Sequence, residues 1–152
     1  MYGKESHMTT VKDLLVGKGT EVWTAHPDDE VRTTLQMMST KNIGAVPVVE
    51  NDKVVGFFSE RDFARYSISA DCFDMSTPIR ELMVHPVFFV DPGQSIEDCM
   101  SVMTNKKLRH LPVLEDGKLT GIISIGDVVK NLLEEKQETI NALEHFLWVN
   151  MI

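Results

Sequence analysis

Cysteine is nearly missing from this sequence: Cys72 and Cys99 stand alone, neither with a Cys or His beside it at a metal-ligand spacing. That pattern excludes a disulfide-built scaffold and a Cys-rich zinc site, and it favours a reducing compartment, with Cys99 a small core residue on a helix. Long apolar runs are missing too. No segment approaches the roughly 18 uninterrupted apolar residues of a membrane span, and Met1 to His7 is too polar for a secretory signal. The expectation is a cytoplasmic protein without a membrane partner. Positive charge is also scarce, with 15 Lys and Arg against 23 Asp and Glu. Nucleic acid or an anionic lipid surface demands clustered cations, so neither is expected as the main partner. A small phosphate ester needs only a few well-placed donors and stays open.

Catalytic signatures are lacking as well. The chain has no His-Glu-x-x-His, no Gly-x-Ser-x-Gly and no Gly-x-x-x-x-Gly-Lys. His26-Pro27-Asp28-Asp29 looks metal-like, but it lies where a helix begins and Asp belongs there anyway. No metal and no enzymatic activity are expected.

What is present is a repeat. A shift of 65 residues lays Pro27 on Pro92, Met38 on Met103, and Pro47-Val48 on Pro112-Val113. It then lays Glu50, Lys53, Gly56, Ser59 and Asp62 on Glu115, Lys118, Gly121, Ser124 and Asp127. Upstream, Val11 to Leu15 resembles Ile79 to Met83 once three further residues are allowed. A self-match of this length marks a duplicated supersecondary unit, and two copies must bury their faces on each other. The boundaries expected are 9–68 for the first repeat, 69–78 for a linker, 79–135 for the second repeat and 136–152 for a C-terminal helical extension.

Within each copy, a short extended piece (Val22 to Thr24, Val87 to Val90) leads into an Asp/Pro/Ser helix start. Val31, Leu35 and Met38, like Ile96, Met100 and Met103, form one apolar helical face. Ala45 to Val49 and Leu111 to Leu114 read as buried strands. Tight turns at Asn51-Asp52 and Asp116-Gly117 return them through Val54 to Phe58 and Leu119 to Ile123. A second helix starts at Ser59 or Ser124. The unit is β-α-β-β-α, an α/β (α+β) class with paired sheets inside and helices outside. Between the copies Ser67 to Pro78 reads as a loop, with Ser76-Thr77-Pro78 opening a short helix. Asp127 to about Trp148 reads as one long helix whose apolar stripe has no evident partner within the chain, which suggests a subunit interface.

The duplicated Gly-x-x-Ser-x-x-Asp admits a plain capping explanation, with Ser accepting from a helix amide and Asp beside the positive helix end. A capping box, however, prefers the longer Glu or Gln at its fourth position. A helix N-terminus also suits phosphate, and an ionised Asp is an acceptor for ribose hydroxyls. The apolar pairs Phe57-Phe58 and Ile122-Ile123 offer a wall for a base.

At these residues, in "NIGAVPVVENDKVVGFFSERDFAR" and "LRHLPVLEDGKLTGIISIGDVVK", the sequence resembles a tandem pair of cystathionine β-synthase (CBS) domains, the Bateman module, over roughly residues 9 to 135. The resemblance implies adenosine-nucleotide binding in the clefts between repeats: AMP, ADP, ATP or NAD(H), with S-adenosylmethionine ranked after them and no cofactor required. It implies that Asp62 and Asp127 take ribose hydroxyls, and that Ser59 and Ser124 take phosphate or ribose oxygens. Backbone around Ile43, Gly44, Ala45 and Val46, and around Arg109, His110 and Leu111, would line base and phosphate. Phe58 and Ile123 would flank the base, and the entry segments at Thr20 and Val22 and at His85 and Val87 would complete the pocket. The two sites are not equivalent in sequence, since the one basic cluster, Lys106 to His110, belongs to the second copy. Arg61, Arg109 and His110 are the phosphate candidates, and either Asp's cleft is open to Arg109 and His110. The function expected is a non-catalytic regulatory sensor of adenylate or redox state, dimeric and acting in trans on an unknown protein. The alternatives are a dimerisation scaffold with empty sites and a small nucleotide-processing enzyme.

Overall fold

The computed structural model describes residues 9–69 and 74–150; the N-terminal stretch Met1 to His7 and residues 70–73 of the expected linker, Cys72 among them, lie outside these. Ten elements follow in order. They are α1 (Val11–Lys18), α2 (Val31–Lys41), β1 (Ala45–Glu50), β2 (Lys53–Ser59), α3 (Glu60–Ser69), a 3₁₀ turn (Ile79–Glu81), α4 (Ile96–Lys106), β3 (His110–Glu115), β4 (Lys118–Ser124) and α5 (Ile125–Asn150). The mixed α/β class and the two hairpin-plus-helix repeats are as the sequence implied.

Each hairpin is antiparallel, β1 with β2 and β3 with β4, and each carries a register shift at the same place, between Val48 and Val49 or Val113 and Leu114. The turn residues Asn51, Asp52, Asp116 and Gly117 all have positive φ, between 51° and 77°. A type I′ turn requires that of both its central residues. The expected entry strands shrink to single parallel bridges, Ala25 to Val48 and Val90 to Val113. There the bulged Val49 and Leu114 amides donate to the Ala25 and Val90 carbonyls. Pro27 and Pro92, two residues on, have no N–H with which to extend a ladder.

The apolar helical faces fall as expected. Val31 and Met38 on α2 and Ile96 and Met103 on α4 are buried, with Leu35 and Met100 partly so. Cys99 is fully buried on α4, and its desolvation, with Asp98 beside it, pushes the thiol up to about 11. Such a thiol is an inert core residue. The expected linker loop starts later than Ser67, because α3 runs to Ser69, and the short helix is the 3₁₀ turn with Pro78 at its N-cap.

The hydrophobic cores do not follow the sequence repeat. Val11, Leu14 and Leu15 of α1 join the core of the second repeat, with Val90, Ile96, Leu111, Val113 and Ile123. Ile79 and Leu82 join the core of the first, with Val31, Met38, Val46, Val48 and Phe58. The leading segment of each repeat therefore packs on the core of the other. The glycines of the duplicated heptad make this possible. A Cβ on Gly121 would lie 2.8 Å from Leu15 Cδ1, and a Cβ on Gly56 would lie 2.4 Å from Met83 Sδ. Both glycines keep a strand open to an apolar side chain from the crossed segment.

The tail is one uninterrupted helix, α5, of 26 residues. Its first turns pack through Val128 and Leu132, whereas Ile140, Leu143, Phe146, Leu147 and Trp148 stand exposed. Among the described residues, no helix is long and apolar enough to cross a membrane.

Candidate functional site

Two strand-to-helix junctions carry the duplicated motif. Ser59 closes β2 opposite Ala45, and Ser124 closes β4 opposite His110. At the first, the Asp62 amide donates to Ser59 Oγ at 3.1 Å, while the Ser59 amide (3.1 Å) and hydroxyl (2.8 Å) donate to Asp62 Oδ2. At the second, the Asp127 amide donates to Ser124 Oγ at 3.1 Å and the Ser124 amide donates to Asp127 Oδ2 at 2.8 Å.

These are complete reciprocal caps, closed by Asp although a capping box prefers the longer Glu or Gln. Thr10 and Asp13 form the same arrangement at the start of α1. Further amides are engaged as well: Glu60 donates to the Gly44 carbonyl at 3.0 Å and Ile125 to the Arg109 carbonyl at 2.8 Å. An anion at either junction therefore relies on side-chain cations more than on free helix amides, a departure from the sequence expectation. The capping bonds that each aspartate accepts all end on Oδ2, and Oδ1 keeps acceptor capacity for a further donor.

The junctions differ in charge. At the second, Lys18, at the end of α1, donates to the Ile122 carbonyl at 2.8 Å and pairs with Asp127 Oδ2 at 2.5 Å. Burial opposes ionisation of Asp127, but bonds from Lys18 and Ser124 outweigh it and hold the carboxyl below its ordinary range. His110 is held low in turn, chiefly by burial and then by Lys18 and Arg109, with Asp127 pulling the other way. Lys18, Arg109, His110 and Asp127 therefore share one electrostatic neighbourhood, and the cluster containing Arg109 and His110 sits on the Asp127 side. His110 also stacks on Phe57 of β2, with ring centroids 5.9 Å apart, a contact that crosses between the repeats. At the first junction, Asp62 has no ion pair among the described residues, and Arg61 is exposed.

The remaining expected site residues sort by burial. Thr20, Gly44, His85 and Arg109 are exposed, and Val22, Ile43 and Val87 are half-buried. His85 follows Val84, which bridges to Phe57 of β2. The side chains of Ala45, Val46 and Leu111 are buried, which suits a role through their backbone alone. Phe58 and Ile123 require correction. Both are fully buried in the hairpin cores, so their side chains cannot flank a base. Strand alternation turns their neighbours Phe57 and Ile122 the other way, half-buried, and these are the residues available as a wall.

Lys18 escaped sequence reasoning because it lies outside the residues that match at the 65-residue shift. Its one signal was a lone cation between two glycines, Gly17 and Gly19, just before Thr20. The His26 to Asp29 segment is a turn in which Asp28 binds Arg80 at 2.9 Å. Among the described residues, no group of three His, Cys, Asp or Glu side chains is placed to hold a metal.

A family model described as "CBS domain" matches residues 11–69 and 79–134. The chain belongs to the CBS-domain family. The CBS domain-containing protein YhcV of Bacillus subtilis is 31% identical over 129 residues, 85% of this chain and 89% of its own. The crystal structure of the CBS domain NE2398 superposes with a TM-score of 0.79 at 45% identity, over 83% of this chain and 99% of that one. CBSX2, solved in complex with AMP, superposes at 0.70 with 25% identity, over 82% and 97%. The CBS pair therefore has both the fold and the doubled Ser/Asp junction that the sequence pointed to.

Proposed function

We propose that this CBS-domain pair is a non-catalytic regulatory module that binds an adenosine nucleotide, AMP, ADP, ATP or NAD(H), with S-adenosylmethionine ranked after them, at the Ser59–Asp62 and Ser124–Asp127 junctions. The observation that carries it is the pair of junctions themselves, where each aspartate spends Oδ2 on the helix cap and retains Oδ1 for a ribose hydroxyl. The AMP held by CBSX2 supports the ligand class. Binding would signal energy or redox state to another protein in trans. A ligand does this only by differing in affinity between two states of the module.

The test is a thermal-shift panel with AMP, ADP, ATP, NAD⁺, NADH and S-adenosylmethionine on the wild type, Asp62→Asn and Asp127→Asn. A ligand at 100 times its Kd adds about 2.7 kcal/mol, a shift of several degrees. Because both aspartates cap helices, with about 0.5–2 kcal/mol at stake in a lost cap, the ligand-induced increment is the quantity to compare. An increment lost in one variant assigns the cleft, with the nucleotide recovered unchanged. No increment with any ligand, from protein free of bound nucleotide, would leave the scaffold reading.

The module is proposed to act as a homodimer through α5. Val129, Leu133, Lys136, Ile140, Leu143 and Leu147 follow alternating spacings of four and three, the seam of a coiled coil, and the apolar five are 41% to 61% exposed. Sedimentation should give a dimer that Leu143→Glu with Leu147→Glu converts to monomer. A wild type that sediments as monomer would exclude it.

A further inference from the structure

Lys18 belongs to the leading segment of the first repeat, yet its ammonium lies against the second. It is held between the Ile122 carbonyl and Asp127 Oδ2. The crossed packing is the cause: Leu15, one turn earlier, fits against Gly121, and the chain then runs directly over the end of β4. The mirror segment repeats the packing but not the charge. Met83 fits against Gly56 as Leu15 fits against Gly121, and in that alignment Pro86 stands where Lys18 stands.

The consequence is two clefts of opposite electrostatic character. Around Asp127, Lys18 compensates the carboxylate and Arg109 adds a second cation, leaving an excess of positive charge. Around Asp62, no ion pair neutralises the carboxylate among the described residues. Glu60 adds another carboxylate, its Oε2 3.9 Å from where a Cβ on Gly44 would sit, and the exposed Arg61 is the nearby cation. A phosphate entering the Asp62 side meets like charge, whereas one entering the Asp127 side meets an ammonium with a donor to spare, since two of its three are engaged.

We propose that Lys18 is the residue that ranks the two clefts for phosphate: it makes the Asp127 cleft the tighter site for phosphorylated adenosine compounds, and its replacement by Pro86 in the mirror position makes the Asp62 cleft the weaker one. This rests on the nucleotide-binding reading above and adds a residue and an order of affinity to it. Lys18 does not plug the Asp127 cleft, because it occupies Oδ2 and leaves Oδ1 to the ribose.

Calorimetric titration of the full chain with AMP and with adenosine tests this, using the wild type, Lys18→Met, Lys18→Arg, Asp127→Asn and Asp62→Asn. The wild type should bind AMP in an event that Asp127→Asn weakens and Asp62→Asn leaves intact. Lys18→Met should weaken AMP at least tenfold and flatten its salt dependence, with adenosine affinity changed less than twofold. Lys18→Arg should restore most of the AMP affinity. Three results would overturn the proposal: AMP binding unaffected by Lys18→Met, equal losses for AMP and adenosine, or an AMP event that follows Asp62 instead. A wild type that binds neither compound would remove the nucleotide reading itself and this proposal with it. A wild type that binds both while Lys18→Met leaves their ratio unchanged would remove only the role of Lys18.

Discussion

Leu15→Ala is expected to destabilise the protein by about 2–5 kcal/mol, the range for a buried Leu truncated to Ala, and the damage should fall on the second repeat, to which Leu15 does not belong in sequence. Its side chain is 5% exposed and packs among Val90, Ile96, Leu111, Val113 and Ile123. Urea unfolding gives the size of the loss, and amide hydrogen exchange gives its location. The hairpin His110–Ser124 should lose protection while Ala45–Ser59 is spared. The reverse pattern would refute the crossed packing. Gly121→Ala supplies the complementary test, because its new methyl would sit 2.8 Å from Leu15 Cδ1. Alone it overpacks the site, by about 1–3 kcal/mol. Combined with Leu15→Ala it finds the space vacated, so the double variant should be markedly less damaged than the sum of the two.

That crossed arrangement marks where the sequence stopped being readable. The helical faces of α2 and α4, the two hairpins and the long α5 were legible because each is a local pattern: spacings of three and four, β-branched runs, and turns of Asn, Asp and Gly. The two offsets of the repeat, 65 and 68, were visible too. Nothing in Val11-x-x-Leu14-Leu15 says which core it fills, however, because both cores present the same apolar lining and a glycine at the same strand position. The consequence for the site is direct. Lys18 reaches Asp127 only because α1 crosses over, so a contact between residues 109 apart had no signature in either copy. The Ser/Asp pairs were found by repetition, but that the shorter Asp closes a reciprocal cap is a matter of backbone geometry at the junction, which spacing alone does not show. The entry strands were over-read because apolar composition does not reveal that Pro27 and Pro92 interrupt a ladder.

The register of β2 decides the last expected result. Phe58→Ala should cost about 3–5 kcal/mol in urea unfolding, as for a buried Phe emptied from a core, because its ring is fully enclosed with Val31, Met38, Val46 and Ile79. Phe57→Ala should cost less, with about 0.5–1.5 kcal/mol from the lost ring pair with His110 and a partial term for its half-buried surface. The ligand response should divide the other way. A ring on the cleft side is the one a base can stack on, so Phe57→Ala should weaken adenosine, whereas Phe58→Ala measured where it is still folded should not. Ile122 and Ile123 repeat the contrast in the second hairpin, with Ile123 fully buried and Ile122 half-exposed. Equal stability losses at Phe57 and Phe58 would mean that both faces of β2 are core. The base would then need another wall, and the half-exposed Trp23 beside Lys41 is the aromatic ring to examine next.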